Sequence, residues 1–180
     1  MKKLLIICLL ISFSYQIKAQ KATIFYLVRH AEKVTTDPSN KDPLLTEKGQ
    51  KRALDLAEKL KNHKLFSIYC TDYQRIKLTA QPIADKQSII PQIYSSKNLK
   101  TFAEKVLQEN RGKKVLIVGH SNTVLETIEA FGGKRPIKTI LENEYDYFFT
   151  MKISESGAVK VKFSHYGDKS GNTVNGENMN

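Results

Sequence analysis

The chain has 180 residues, a formal net charge of +11 and two cysteines. This length suits one globular domain with a substantial core, and no internal repeat or Pro/Gly-rich linker divides it. The positive charge favours an anionic substrate or partner. Basic and aromatic residues are not interleaved and no groove-reading motif occurs, so we predict no binding to nucleic acid.

Residues 1–19 have the pattern of a secretory signal peptide. Two lysines precede an apolar stretch at residues 4–13, and Ala19 ends an acceptable cleavage site. The stretch is too short to span a membrane, although an uncleaved anchor is the alternative interpretation. We therefore expect an exported protein, periplasmic or secreted, without stable membrane insertion after cleavage. Removal of this segment, with its three lysines and no acid, lowers the formal charge from +11 to +8.

Three apolar runs predict buried strands, at residues 24–28, 67–71 and 114–118. Cys70 lies in the second run, and we interpret it as a small core residue. It is the only cysteine left after cleavage, so no disulfide can form within the mature chain. Residues 144–153 and 158–165 predict a C-terminal hairpin.

Helical periodicity and capping residues predict four helices. The first three span residues 46–61, 73–86 and 98–109. The fourth begins at a capping box at residues 123–126 and ends at Gly132 and Gly133. Thr46 is the predicted N-cap of the first helix, and Pro82 is expected to interrupt the second. Because strands alternate with helices, we predict an α/β fold with a mostly parallel central sheet flanked by helices. The hairpin adds antiparallel character at one edge.

The domain is expected to span residues 20–168. Residues 169–180 are rich in Gly, Asn and Ser and nearly free of apolar side chains, so we predict a disordered tail. The predicted hairpin is compatible with two oligomeric states. It could pair edge to edge in a dimer, or its edge could be protected in a monomer.

Charged side chains follow each of the three central strands. Arg29 and His30 come directly after the first, Arg75 shortly after the second, and His120 after the third. Ligands of open α/β sheets bind at the carboxyl ends of the strands, so these side chains should meet. This set suits phosphate chemistry, because a histidine can attack phosphorus while cations hold the phosphoryl oxygens.

These motifs resemble those of the histidine phosphatase superfamily, also called phosphoglycerate-mutase-like. Arg29-His30-Ala31 matches the opening Arg-His motif of the family, and residues 71–80 match its mid-chain pattern of Ser-Asp-x-x-Arg-x-x-x-Thr-Ala. Gly119-His120-Ser121-Asn122 matches the motif of its second histidine. The similarity runs from about residue 23 to about residue 131.

Two positions depart from the pattern of the family. Ala31 stands where many members have glycine, and the usual acidic residue between Arg75 and His120 is not obvious. Glu104 occupies the place where many relatives carry that acid, but its helical angle turns it away from the apolar face, so we expect it to be solvated. Glu32 could instead protonate the leaving oxygen, or it could pair with a cation of the site.

The resemblance implies a phosphatase that hydrolyses phosphomonoesters through a phosphohistidine on His30. Arg29 and Arg75 would each hold the phosphoryl oxygens with a planar fork, and His120 would donate to the phosphoryl group as charge builds. Lys33 would add a phosphate contact, with a solvated lysine as the alternative. Asn122 would orient the loop of His120 or only begin a helix.

No pair of histidines has metal-ligand spacing and no carboxylate cluster accompanies them, so we expect chemistry without metal or cofactor. The partner is then a small phosphorylated substrate or a phosphoprotein. Two alternatives remain. One is a phosphomutase of the same family, which requires a segment that covers the site. The other is a catalytically dead protein that binds phosphate or a polyanion, against which the two intact histidines argue.

Overall fold

The computed structural model describes residues 21–171, so the predicted signal peptide at residues 1–19 lies outside the described part of the chain. The strands are β1 (Thr23–Arg29), β2 (Ser67–Cys70), β3 (Gln92–Ile93), β4 (Lys114–Gly119), β5 (Tyr147–Ile153) and β6 (Val159–His165). The α-helices are α1 (Glu47–Leu60), α2 (Gln74–Gln87), α3 (Leu99–Glu109) and α4 (Ser121–Ala130). None of these helices is both long and apolar enough to cross a membrane.

The strands form one six-stranded sheet in the order β3-β2-β4-β1-β5-β6. The pairs β2·β3, β2·β4 and β1·β4 are parallel, whereas β1·β5 and β5·β6 are antiparallel. The prediction of a mostly parallel α/β sheet with an antiparallel hairpin at one edge is therefore confirmed. Since β1 and β4 are parallel neighbours, their carboxyl ends, and the residues that follow them, lie side by side.

Helices cover both faces of the sheet, as a buried parallel sheet requires. Phe25 and Leu27 of β1 face a cluster that includes residues of α3 and α4. Tyr26 and Val28 alternate with them and face a second cluster, built from α1 and α2. Cys70 lies in this second cluster, as predicted, and its burial raises the thiol pKa to about 12.

Two helix predictions need correction. α4 begins at Ser121, because His120 is its N-cap and the hydroxyl of Thr123 accepts a hydrogen bond from the His120 N–H at 3.0 Å. Thr123 thus lies inside the first turn and is not the start of a capping box. α2 runs through Pro82 without interruption. The fully buried Ala80 and Ile83 flank the proline, so tertiary packing compensates for its missing hydrogen bond.

The tail predicted to begin at residue 169 is also corrected for its first residues. The Ser170 hydroxyl donates to Asp146 at 2.6 Å, and the N–H of Gly171 donates to the Asn143 carbonyl at 2.9 Å. The buried carboxylate of Asp146 requires partners, and Ser170 supplies one. Residues 169–171 therefore pack against the domain, and residues 172–180 lie outside the described part of the chain.

Candidate active site

The strand ends bring the predicted histidines together. Arg29 is in register with Gly119, and the N–H of His30 donates to the Gly119 carbonyl at 2.9 Å. The rings of His30 and His120 consequently lie edge to face, with their centroids 5.7 Å apart. Both arginines of the prediction are buried beside them, Arg29 with 2% and Arg75 with 9% of its surface exposed.

His30 has the proton arrangement that a nucleophile needs. Its Nδ1 lies 2.8 Å from the carbonyl oxygen of Ala31. A carbonyl oxygen can only accept, so Nδ1 carries the proton and the lone pair is on Nε2. Burial lowers the pKa of His30 to about 3, and the positive charges of Arg29 and Arg75 act in the same direction. The imidazole is therefore neutral at physiological pH.

His120 lies at the N-terminus of α4, where backbone N–H groups and the helix dipole favour an anion. Its Nε2 is 3.1 Å from the hydroxyl of Thr71, and Tyr73 packs edge to face on its ring at 5.1 Å. Burial, together with the positive charges of Arg75, Arg29 and Lys33, lowers the pKa of His120 to about 4. His120 is thus neutral in the free protein, and a bound dianion would raise its pKa.

Arg75 comes from the first turn of α2 and lies over Tyr73, with its guanidinium carbon 4.5 Å from the ring centroid. Its Nη1 donates to the Lys41 carbonyl at 3.3 Å and lies 3.7 Å from the carboxylate of Asp42. The buried Nε has no hydrogen-bond partner among the described residues. A buried cationic donor of this kind is suited to an anionic ligand.

Thr79 links the two arginine-bearing segments. Its hydroxyl donates to the Arg75 carbonyl at 2.7 Å and accepts from the Ala31 N–H at 2.9 Å. Thr79 is completely buried, so its hydroxyl fixes the loop after β1 against α2. This contact gives a structural reason for the threonine in the mid-chain motif.

Arg29 departs from the predicted phosphate fork. Its Nη1 donates to the carbonyls of Leu141, Glu142 and Glu144 at 2.7 to 3.0 Å, and its Nη2 donates to the Glu142 carboxylate at 2.7 Å. Only Nε is without a partner among the described residues. Arg29 therefore anchors the loop before β5, and its two terminal nitrogens are engaged by protein oxygens.

Glu142 is the carboxylate nearest to this anchor and is not among the predicted site residues. Besides Arg29, it accepts a hydrogen bond from the Ser121 hydroxyl at 3.1 Å. Burial alone would raise its pKa, but Arg29 and Ser121 hold the pKa below its ordinary value. Glu142 is thus ionised at neutral pH. No sequence signal marks it, because it follows His120 by 22 positions and lies in a loop without a motif.

Glu32, one of the two candidate acids, is bound by Arg52. The Nε and Nη2 of Arg52 donate to the two carboxylate oxygens at 2.9 and 2.8 Å. Burial alone would raise the pKa of Glu32, but this pairing holds it below its ordinary value. The geometry favours the second of the two roles considered, pairing with a cation. A proton donor would have to be protonated, and Glu32 is held ionised.

Arg52 itself was not predicted, although α1 carries a signal for it. It lies on the buried face of the helix together with Ala53 and Leu56, with only 1% of its surface exposed. An arginine inside an apolar stripe requires a buried partner. That signal indicates an ion pair, but it cannot identify Glu32 as the other member.

The remaining predicted residues lie at the rim of the candidate active site or outside it. Lys33 is half-buried and close enough to affect the pKa values of His120 and Glu142. Asn122 is exposed in the first turn of α4 and makes no side-chain hydrogen bond within residues 21–171, which favours the interpretation that it only begins the helix. Glu104 is exposed on α3, as expected.

The site thus combines two neutral imidazoles with two buried guanidinium groups and a helix N-terminus. This arrangement can bind a tetrahedral dianion and present an imidazole lone pair to it. Residues 21–171 contain no group of three or more His, Cys, Asp or Glu side chains that could hold a metal ion. The absence of a metal requirement stays a prediction.

Comparisons with known proteins agree with the fold and with the resemblance of the motifs. The family model of the histidine phosphatase superfamily (branch 1) matches residues 25–101. No curated protein sequence matches the chain. The fold is shared with the protein histidine phosphatase SixA complexed with tungstate, at a TM-score of 0.64 and 15% identity over 79% of this chain and 96% of that one.

Two further solved structures have the same fold. The phosphoserine phosphatase of Entamoeba histolytica, in complex with 3-phosphoglyceric acid, has a TM-score of 0.62 and 16% identity, over 81% of this chain and 98% of that one. The phosphoglycerate mutase of Bacillus anthracis has a TM-score of 0.63 and 16% identity, over 81% and 94%. The family match over residues 25–101 and the shared fold support the resemblance to the histidine phosphatase superfamily that the motifs indicate.

Proposed function

We propose that the protein is a phosphatase that hydrolyses phosphomonoesters through a phosphohistidine on His30, without a metal ion. The observation that carries the proposal is the state of His30: its Nδ1 proton is held by the Ala31 carbonyl, so the Nε2 lone pair is available in a site lined by buried cations. Members of the superfamily whose structures match include phosphatases and a mutase.

The first half of the reaction transfers the phosphoryl group. The substrate dianion binds between Arg75, the Nε of Arg29 and the N-terminus of α4, and its charge favours protonation of His120. Nε2 of His30 attacks phosphorus while the bond from phosphorus to the ester oxygen breaks. The leaving oxygen takes its proton from His120, since arginines hold Glu32 and Glu142 in the ionised form.

The second half regenerates the enzyme. Neutral His120 now accepts a proton from water as the water oxygen attacks the phosphohistidine, and the bond from phosphorus to Nε2 breaks. Phosphate leaves, and His30 is again neutral. In a mutase, the hydroxyl of a second organic molecule would take the place of water, and the product would be a phosphate ester instead of inorganic phosphate.

Rapid quench with a radiolabelled aryl phosphate tests the proposal. We expect an acid-labile, base-stable adduct on His30 in the wild type and none in His30→Ala. A label on Ser121, on a carboxylate or on Cys70 would overturn the assignment. Release of inorganic phosphate at the rate of substrate loss separates a phosphatase from a mutase, and binding of phosphate without turnover would identify a dead relative.

A chelator tests the independence from metal. The positive charge that a phosphoryl group requires is supplied by Arg29, Arg75, Lys33 and protonated His120, so we expect unchanged activity after dialysis against EDTA. Loss of activity with recovery on adding zinc or magnesium would contradict this part of the proposal and point to a metal-activated hydroxide.

We also propose that the protein is exported, on the basis of residues 1–19. Mass spectrometry of the N-terminus after expression in a bacterial host, together with cell fractionation, tests this. A new N-terminus near Gln20 in the periplasm or medium is the expected result. An intact N-terminus in the cytoplasm would contradict it.

A further inference from the structure

A cleft with a volume of about 490 Å³ opens beside the candidate active site. Three lysines, Lys33, Lys48 and Lys169, line it together with Glu142 and Tyr145. We call it the lysine cleft. Its volume lies within the range of small-molecule sites in proteins.

The lysine cleft adjoins the reacting group through Tyr145. The Tyr145 ring centroid is 6.0 Å from that of His30 and 4.2 Å from the guanidinium carbon of Arg29. Tyr145 thus lines the cleft and also lies next to two side chains of the candidate active site. An ester whose phosphoryl group lies at His30 would extend its leaving group along this ring into the cleft.

The charge of the cleft is more positive than its lining residues suggest. Its two carboxylates are each neutralised by an arginine, Glu32 by Arg52 and Glu142 by Arg29. Lys33 and Lys169 form no ion pair with any residue in the described part of the chain, and Lys48 lies 3.7 Å from a Glu32 oxygen that is already paired. Three ammonium groups therefore remain to attract an anion.

The segment that carries Lys169 is fixed in place before any ligand binds. Arg52 donates from Nη1 to the Tyr166 carbonyl at 2.9 Å and from Nη2 to the Asp168 carbonyl at 2.8 Å. Ser170 is held by Asp146 on the other side of Lys169. Because the backbone is already ordered on both sides, an anion in the cleft meets a reduced entropic cost of binding.

We propose that the lysine cleft binds a second anionic group on the leaving portion of the substrate. The preferred substrates are then small phosphomonoesters that carry a second phosphate. Lys48 and Lys169 bind this second phosphate, and Lys33 lies between it and the phosphate that reacts. This inference rests on the proposed phosphatase function, because it assigns the leaving group of the same reaction.

Matched substrates measure the preference. Butane-1,4-diol bisphosphate and 4-hydroxybutyl phosphate differ only in the second phosphate, and a 4-carboxybutyl phosphate tests whether a carboxylate suffices. We expect kcat/KM of the wild type to be at least about fivefold higher for the bisphosphate, the effect of two partly exposed charge contacts. The preference should shrink as salt is added, since these charges are screened.

The double variant Lys48→Gln/Lys169→Gln tests the assignment of residues. It should lose the preference for the bisphosphate while its kcat/KM for 4-hydroxybutyl phosphate stays within about twofold of the wild type. The control Lys160→Gln/Lys162→Gln removes the same charge from β6, where both lysines are exposed and pair with Lys152 and Thr150 of β5. It should keep the preference. An equal loss in both variants would show a general effect of net charge and overturn the proposal.

A binding measurement separates this inference from the proposed reaction. Butane-1,4-bisphosphonate cannot be hydrolysed, and its affinity for the wild type and the cleft variant is measured by calorimetry. Binding that weakens at least about threefold in Lys48→Gln/Lys169→Gln supports the subsite even if no substrate is turned over. Turnover of aryl phosphate with equal affinity of both proteins for the bisphosphonate would leave the phosphatase intact and refute the subsite.

Discussion

Arg52 binds both carboxylate oxygens of Glu32 and at the same time the carbonyls of Tyr166 and Asp168. It therefore joins the loop that follows His30 to the end of the described chain. Since Glu32 is only two residues from His30 in the loop after β1, we expect the position of the nucleophile to depend on a side chain of α1. The first prediction concerns this link.

Replacing Arg52 with Met should lower the free energy of unfolding by about 3 kcal/mol, because the largely buried carboxylate of Glu32 loses both hydrogen bonds from Arg52 and keeps only the 3.7 Å contact with the exposed Lys48. Urea denaturation at pH 7 measures it. Lys51→Met is the matched control: Lys51 is exposed and pairs with Asp55 and Asp168, so its loss should lower the free energy of unfolding much less than the loss of Arg52. Equal effects of the two variants would mean that the Arg52 pair does not stabilise the fold.

The sequence predicts the sheet and the histidines well because both depend on local signals. A buried strand is visible as a short apolar run, and parallel strands bring their carboxyl ends together. Once the strands before His30 and His120 are located, their meeting follows from topology. The two-residue strand β3 is too short to leave such a signal, and β5 begins three residues later than predicted, at Tyr147.

The contacts that tune the site cannot be predicted from local patterns, because they join residues that are far apart in the sequence. Arg29 and Glu142 are 113 positions apart, and nothing in the local pattern of either announces the other. The prediction of Thr123 as the N-cap of α4 is wrong for a different reason. Thr123 is a good N-cap by residue type, but the hydrogen bond from the His120 N–H makes it the third residue of the helix. Both His120 and Thr123 could serve as the N-cap of α4, and the position of β4 in the sheet decides in favour of His120.

Gly49 offers a second test of the loop that holds His30. A Cβ at this position would lie 2.2 Å from the carbonyl oxygen of Glu32, which also accepts from the Thr46 N–H. Gly to Ala inside a helix ordinarily stabilises by up to about 1 kcal/mol. Here the neighbour is backbone and cannot rotate away, so we expect Gly49→Ala to destabilise by about 2 kcal/mol and to lower kcat.

The control for Gly49 is Gln50→Ala, one residue later in α1 and exposed. It should change the free energy of unfolding by no more than about 0.5 kcal/mol and leave kcat unchanged. A stabilising Gly49→Ala would show that the loop after β1 yields easily, and the rigid placement of His30 would then be wrong.

Arg75 and Lys33 should differ strongly in their effect on rate. Arg75 is buried in the candidate site and its Nε has no hydrogen-bond partner among the described residues, so we expect it to hold the phosphoryl group and Arg75→Ala to lower kcat/KM about a hundredfold or more. Lys33 is a half-buried point charge at the rim, and Lys33→Ala should cost about tenfold or less. Steady-state kinetics with an aryl phosphate measures both.

Arg75→Lys separates charge from geometry, since it keeps the charge and removes the planar fork. We expect it to remain at least about tenfold below the wild type. If Lys33→Ala and Arg75→Ala were equally mild, Arg75 would not contact the phosphoryl group, and the strand-end site would have to be abandoned.

The last prediction concerns pH. Burial and the nearby cations lower the pKa of His30 to about 3 and that of His120 to about 4, below the ordinary value of 6.5. The unfolded chain therefore binds more protons than the folded one between about pH 6.5 and these values. The free energy of unfolding is therefore undiminished by these two histidines above pH 6.5, and it decreases as the pH falls toward 4. Urea denaturation at pH 7, 6 and 5 should show this decline.

An anion reverses the effect at His120. A bound tungstate dianion favours the charged imidazole, so its affinity should rise as the pH falls from 7 to 5. For a phosphate ester, kcat/KM should rise only down to about pH 6, where the dianion itself takes up a proton. His120→Asn should weaken the pH dependence both of stability and of tungstate binding measured by calorimetry. Carboxylates also titrate at acid pH, and the comparison with this variant isolates the contribution of His120. Anion affinity that grows toward alkaline pH would contradict a proton on His120 and the catalytic role built on it.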